Sequence, residues 1–387
     1  MLKRIETFLR VTPWPRPAVR WLPGNSSNFG PPRRWGLIRD VVPAAGGRII
    51  EVDPARTLKT PRAILHGNIT ITGLETFRPE APATCVFTLE SARAIGPEGF
   101  IVTKNDTFLY DASFWHGVYP SPHGTHPIYL RKKARPLRRL SGTCLSLATD
   151  FAAGSYGHMI HDGLTRLRLL TQAGFPATKA DWILFPRLST PNTEAICTLL
   201  GIAPERVLNC SAANEWEFER LVGTSYPAAI GTVPPENARF LRDLGRRWRR
   251  EDRPRTRIYL SRRGYQRNPV NLDECESILR EFGFQIVDPS DGESVLAACA
   301  NAEVIAGIDG SNMGSLAFSP SGSRVLIINP PVVPPQPYET TMAFFGDREL
   351  HLLAGDPLDG ITPSYSGNFH LPAARLRACL EKVCSGA

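Results

Sequence analysis

The chain predicts an α/β fold, and three observations carry that reading. Segments from about residue 235 onward follow a β-α-β-α-β order, residues 36–140 hold short β-prone runs broken by Gly and Pro, and a strand at 257–261 leads through a polar loop into a helix with one apolar face. Strict alternation of strand and helix implies a parallel sheet covered by helices on both sides. At 387 residues and 42% hydrophobic, the chain can bury a sizeable core and is expected to divide into two domains.

Residues 1–35 are rich in Pro, Arg and Trp without periodicity and read as an irregular arm. Strands are expected at Arg48–Val52, Cys85–Leu89, Phe100–Thr103 and Thr107–Tyr110. A first α/β unit begins near Leu145, with strand 145–149, a glycine-containing turn, helix 156–171, strand Asp181–Phe185 and helix 191–200, which Gly201 stops. Pro227, Gly231, Pro234 and Pro235 mark a connector. The expected domains are therefore 36–225 and 226–387, after the arm. In the second, helix 235–250 precedes strand 257–261, helix 272–282, strand 284–287, helix 292–301, strand 304–308, helix 311–318 and strand 324–328. Leu376, Cys379, Leu380 and Val383 then trace one face of a closing helix.

A formal charge of +8 favours anionic partners: nucleotides, nucleic acid, acidic glycans or a bilayer face. The densest basic runs, Arg131–Arg135 with Arg138 and Arg139, and Arg246–Arg250, read as surface features, the second suited to solubility or peripheral membrane contact. Aromatic residues are not interleaved with basic ones as in a stacking platform, so no nucleic-acid partner is expected. No run reaches the roughly 18 apolar residues of a membrane span. Arg10, Pro13, Pro15 and Arg16 interrupt the N-terminal segment, so no secretory leader is expected. Eight cysteines without C-x-x-C or zinc spacing fit reduced thiols and a cytoplasmic protein, with contact at the inner membrane as a further expectation. Cys85, Cys197, Cys275 and Cys299 lie in apolar runs and read as small core residues.

The most informative stretch is Arg257–Asn268: a buried strand (Ile258, Tyr259, Leu260) opening into a loop with Arg262, Arg263 and Arg267. In open α/β sheets ligands bind beyond the carboxyl ends of strands. Guanidiniums there, permanently charged and able to fork two hydrogen bonds, suit a phosphate or diphosphate. The alternative is a solvated basic loop. Asn271 and Glu274 have the spacing of a capping box at the start of the next helix. The acidic pair Glu274 and Glu276 reads as helix-start and surface groups. Gly307–Gly314 joins another buried strand to a helix. Its glycines permit close backbone approach, and amides at a helix start attract an anion. The spacing is neither G-x-G-x-x-G nor a Walker loop. On the helix that begins near Tyr156, His158, His161, Asp162, Thr165 and Arg166 fall on one polar face, while Ile160, Leu164 and Leu167 face the core. A His and a carboxylate four residues apart can bond, which orients the imidazole and raises its basicity. The bland reading of that face is solvated surface, and metal ligation ranks low without a third ligand.

In order along the chain, these blocks resemble glycosyltransferase family 61, whose bacterial members are often labelled capsular polysaccharide biosynthesis proteins. The family motif N-Y-x-H-W-L-x-D-x-L-P-R-L aligns with Ser155-Tyr-Gly-His158-Met-Ile-His-Asp162-Gly-Leu-Thr-Arg166-Leu. A strand ending in S-R-R, with a further Arg, an Asn and an acidic helix start, is seen as Ser261, Arg262, Arg263, Arg267, Asn271 and Glu274. A third block, H-G-A-G-L-T-N-x-x-F-x-x-P-G-S, corresponds to Asp309–Ser323. The segment from Val86 to Phe114 also looks like the family's strand-rich N-terminal region.

The resemblance implies a GT-B type fold, two Rossmann-like domains facing a cleft, with the acceptor on the N-terminal domain and a nucleotide-sugar on the C-terminal one. It implies inverting transfer of a sugar to a hydroxyl of a glycan or glycolipid acceptor, in surface or capsular polysaccharide synthesis. The nucleotide-sugar is a co-substrate; no cofactor and no metal are expected. His158 and Asp162 are the expected catalytic pair. Tyr156, His161, Arg262, Arg263, Arg267, Asn271, Glu274, Asp309, Gly310, Ser311 and Asn312 are the expected substrate-binding residues. Met159 and Thr165 replace the family's Trp and Pro, changes of packing. Asp309 stands where the family has His, and a carboxylate beside a diphosphate repels it unless a cation bridges them or it turns to a sugar hydroxyl. The alternative function is a non-catalytic or divergent protein that binds a glycan or other polyanion. A hydrolase is the weakest reading, since no G-x-S-x-G elbow is present.

Overall fold

The computed structural model describes residues 32–66, 79–113, 126–130, 137–150, 152, 155–185, 191–209, 215–229, 231–252, 254–288, 292–331, 337–362 and 366–385. Most of the N-terminal arm, the basic run at 131–135 and Gly154 lie outside the described residues. The chain forms two compact units. The first comprises residues 1–55, 82–188 and 200–230; the second comprises 56–81, 189–199 and 231–387.

The first unit is built on a nine-stranded mixed sheet. Its long strands are Thr84–Ile95, Leu137–Ser146 and Glu215–Thr224. Glu215–Thr224 lies in the middle, antiparallel to Thr84–Ile95 and parallel to Leu137–Ser146. Trp182–Phe185 and Val207–Asn209 extend the parallel side. Phe100–Val102 and Thr107–Leu109 continue the antiparallel side as a meander. The expected strand near 145–149 is an extension of one that starts eight residues earlier, at Leu137, where it pairs with Glu215. Phe87, Leu89, Cys144, Leu184, Phe218 and Leu221 form the core together with Ile38 and Val42 of the helix Ile38–Ala44.

The second unit carries a six-stranded, wholly parallel sheet. Its order is Phe284–Val287, Thr256–Leu260, Ala302–Ile308, Arg324–Asn329, Glu349–Ala354 and Ile64–His66. The two-residue period of a strand sorts its side chains. Tyr259, Val304, Ala306, Ile308, Leu326 and Ile328 pack on Cys275, Ile278, Leu279, Leu376, Cys379, Leu380 and Val383, from the helices Leu272–Glu281 and Ala373–Ser385. The helix Glu293–Ala300 packs against Thr256–Leu260 and Ala302–Ile308 and against the 311–318 turn, which also meets the helices Pro235–Gly245 and Pro337–Phe345. Each large aliphatic side chain buried this way contributes about 1.5–3 kcal/mol.

Two expected helices differ in detail. The 235–250 helix stops at Gly245 and tightens to a 3₁₀ turn at Arg246–Trp248. Gly245 lies against the backbone of Phe318, where a Cβ would collide with the carbonyl, and Trp248 meets the Phe318 ring edge-on. Ser311–Phe318 is entirely 3₁₀, with hydrogen bonds that span three residues instead of four.

Candidate functional site

In the second unit, Leu260 and Gly307 are register partners on neighbouring parallel strands, so the loops leaving those strands emerge side by side. The first loop carries the arginines and the second carries Asp309–Asn312. Arg262 donates through Nη1 to Asn312 Oδ1 (3.3 Å) and through Nη2 to the Gln266 carbonyl (3.3 Å). Asn312 in turn donates to the carbonyls of Leu260 and Ser261, both at 3.3 Å. The guanidinium also lies over the Tyr265 ring, 5.8 Å from its centroid. It also lies against Gly310, whose φ of +149° and lack of Cβ let the guanidinium rest on the backbone. Arg267, held at φ +68°, donates through Nη1 to the Asp309 carbonyl (3.0 Å) and to Oδ2 (2.8 Å). Asn268 closes the loop by donating to the carbonyls of Arg262 and Tyr265.

Arg262, Arg267, Asp309, Gly310 and Asn312 therefore come together, and Ser311 lies within the same turn. Asp309 is fully buried and bridged by Arg267, so its carboxylate is already paired with a cation. Arg263 pairs with Asp273 (2.7 Å) and Glu276 (2.9 Å). Two structural expectations about this region fail. Glu276 is not a surface group: it is 3% exposed and also accepts from Ser261 Oγ (3.2 Å). Asn271 does not cap the helix, because its side chain is spent on Leu371, accepting from the amide (3.1 Å) and donating to the carbonyl (2.9 Å). Its remaining proton goes to Glu274 Oε2 (2.8 Å), so a side chain–side chain bond stands in place of the capping-box exchange.

In the first unit, the helix running from Tyr156 to Gln172 contains a π-helical stretch, Met159–Leu164. Such wide turns recur at functional sites because they re-aim side chains. Ser155 caps the start, its Oγ accepting from the His158 amide (3.5 Å). His158 Nδ1 meets Asp162 Oδ2 at 2.7 Å, with the histidine side chain 22% exposed and the aspartate 1%. A carboxylate only accepts, so Nδ1 carries the proton and the basic lone pair sits on Nε2. Tyr156 lies at the first helical position, half-buried.

The polar face is not solvated surface. His161, Asp162, Thr165 and Arg166 are all buried. Burial pushes the His161 imidazole down to about 4, so it is neutral. Arg166, which sequence reasoning placed on the face without a role, is its anchor. Nη1 donates to Thr224 Oγ1 (3.0 Å) and the Thr224 carbonyl (3.2 Å), and Nη2 to the Ala112 carbonyl (3.0 Å). Burial lowers its pKa, while Tyr226, Asp162 and Asp150 favour its charge. Asp150 also accepts from Ser113 Oγ, and that hydroxyl lies 3.4 Å from Nε2 of His126, a ring enclosed by Phe100, Phe108 and Tyr110. Sequence reasoning missed this buried cluster because its members are single residues 13 and 37 positions apart.

Among the described residues, no group of three or more His, Cys, Asp or Glu is placed to hold a metal ion, and no helix is long and apolar enough to cross a membrane. Residues 156–326 match the family model described as Glycosyltransferase 61, a span that runs from the His158 helix through the arginine loop and the 309–318 turn. No curated protein matches the chain.

Proposed function

From this match to a glycosyltransferase family, we propose that the protein transfers a sugar, with inversion, from a nucleotide donor to a hydroxyl of a glycan or glycolipid acceptor, in the synthesis of a surface or capsular polysaccharide. The observation that carries the reading is the pairing of Arg262 with the Gly310–Asn312 turn at the carboxyl end of a parallel sheet. A nucleoside diphosphate leaves with developing negative charge, and a guanidinium beside a backbone turn stabilises it. The Arg267–Asp309 pair fixes the arginine loop around that position.

His158, with Asp162 behind it, supplies the general base for the acceptor hydroxyl. The aspartate holds the tautomer and stabilises the imidazolium formed when Nε2 takes the proton. In the GT-B type fold we propose, the acceptor belongs to the first unit and the donor to the second. The reaction needs no cofactor, and the protein works in the cytoplasm, with the exposed Arg246, Arg247 and Arg250 as its proposed contact with an anionic membrane face.

A thermal-shift screen of sugar nucleotides tests the reading, since a ligand of the native state raises the melting temperature with its occupancy. At least one uridine, guanosine or cytidine sugar nucleotide is expected to stabilise the protein. A polyanion that stabilises it at low salt while every nucleotide fails points instead to a binding protein.

A further inference from the structure

Glu339 lies in the first turn of the helix Pro337–Phe345, a part of the chain that none of the three family-like blocks includes. It is 6% exposed, and its Oε2 has no hydrogen-bond partner among the described residues. It is close enough to Asp309 and Arg267 to interact with both electrostatically. Two buried carboxyls thus share the neighbourhood of one guanidinium, and that guanidinium is committed to Asp309 at 2.8 Å. Like charges withdrawn from water cannot both be held cheaply, so the pair retains a proton. Asp309 has the direct cation contact, which leaves the proton to Glu339.

We infer that Glu339 is a positioning residue that carries a proton in the folded protein and thereby keeps the Arg262–Arg267 loop attractive to a diphosphate. The inference rests on the nucleotide-donor reading above. Asp309, Glu339, Arg262 and Arg267 together carry net positive charge while Glu339 is protonated and none once it ionises. This accounts for the Asp at 309: the carboxylate that replaces a histidine is offset by a second carboxyl that stays neutral. Burial, followed by the Asp309 charge, pushes Glu339 up to about 8, while its own backbone amide and then Arg267 act in the opposite direction. Among the described residues, Asp309 and Arg267 are the charged groups that act on it.

The sign is fixed by linkage. A folded-state pKa above the unfolded value gives a contribution to stability that is complete below about 4.5 and is lost as pH rises through about 8. In the first arm of the test, melting temperatures of the full wild-type chain and Glu339→Gln are compared from about pH 5 to about pH 9 without ligand. The wild type is expected to fall relative to the variant up to about pH 8 and then run parallel to it. Curves that stay parallel throughout overturn the inference. In the second arm, UDP, GDP and CDP are titrated calorimetrically over the same range. Wild-type affinity for the nucleotide that binds is expected to drop about tenfold across the transition, and that dependence is expected to vanish in Glu339→Gln. An equal pH dependence in both proteins overturns the positioning role. Absence of binding by the wild type at every pH overturns the nucleotide reading and the positioning role together, and the melting arm alone then decides the proton. Should Glu339→Gln fail to fold, Asp309→Asn replaces it: removing the neighbouring charge is expected to move the wild-type break to lower pH, and an unmoved break counts against the inference.

Discussion

Gly310 is the floor on which Arg262 rests: a Cβ at Gly310 would overlap Nη1 of the guanidinium. The strand register that sets Leu260 beside Gly307 brings these two residues together although they are 48 positions apart. The same contact makes Gly310→Ala informative. The substitution displaces Arg262 and strains a backbone at φ +149°, at a cost of about 1–3 kcal/mol. Denaturant unfolding is expected to register that loss, and calorimetry a drop of about tenfold or more in affinity for a nucleoside diphosphate.

The three loop arginines are not equivalent. Arg263 faces Asp273 and Glu276, so Arg263→Ala is expected to change nucleotide affinity by less than about twofold. Arg267→Ala strips the cation from fully buried Asp309 and is expected to destabilise the protein by about 3–5 kcal/mol, read by urea unfolding.

His158 and Asp162 are expected to act as a unit. Asp162→Asn preserves shape but removes the negative charge that stabilises the imidazolium, and kcat is expected to fall about 10²–10⁴-fold with little change in donor KM. The double variant with His158→Ala is expected to be no slower than the worse single one. Multiplying losses would show that the two residues work separately.

Arg166 is expected to matter for folding more than its place on a polar face suggests. It serves Thr224 and Ala112 with two nitrogens. Arg166→Met is expected to cost about 3 kcal/mol by leaving those acceptors unserved and removing a positive charge that interacts with Asp162. Lysine lacks the planar fork and is expected to recover little of this in the same unfolding measurement.

Acid is expected to unfold the protein partly through His126 and His161, which burial holds down to about 3 and about 4. A folded pKa below the unfolded 6.5 means stability is complete above 6.5 and is lost as pH falls toward those values. His126→Phe, which suits its aromatic surroundings, is expected to flatten the fall in melting temperature below about pH 6.5.

Much of the second unit was legible because its central strands are buried on both faces and its helices carry regular apolar stripes. Phe284–Val287 and the 373–385 helix core were readable residue by residue. Two other strands of the sheet were not. Ile64–His66, at one edge, is three residues long and joins the sheet from nearly 290 positions away, and the interior strand Glu349–Ala354 comes after the last strand the alternation had marked. The His158–Asp162 contact followed from helical spacing alone, because four residues make nearly one turn. The burial of that face did not follow, because it depends on Thr224 and Ala112, which are distant in sequence. Arg263 and Arg267 looked alike on the page. What separates them is the positive φ at Arg267 and the buried Glu276 that captures Arg263, neither of which leaves a local mark in the sequence.

The most direct test is a calorimetric titration of nucleoside diphosphates into the wild type and Arg262→Ala. The account predicts saturable binding of at least one of UDP, GDP and CDP, weakened about 30-fold in the variant, as expected for losing a charge-assisted contact of about 2 kcal/mol. Equal binding by the two proteins, or none by the wild type, would contradict it.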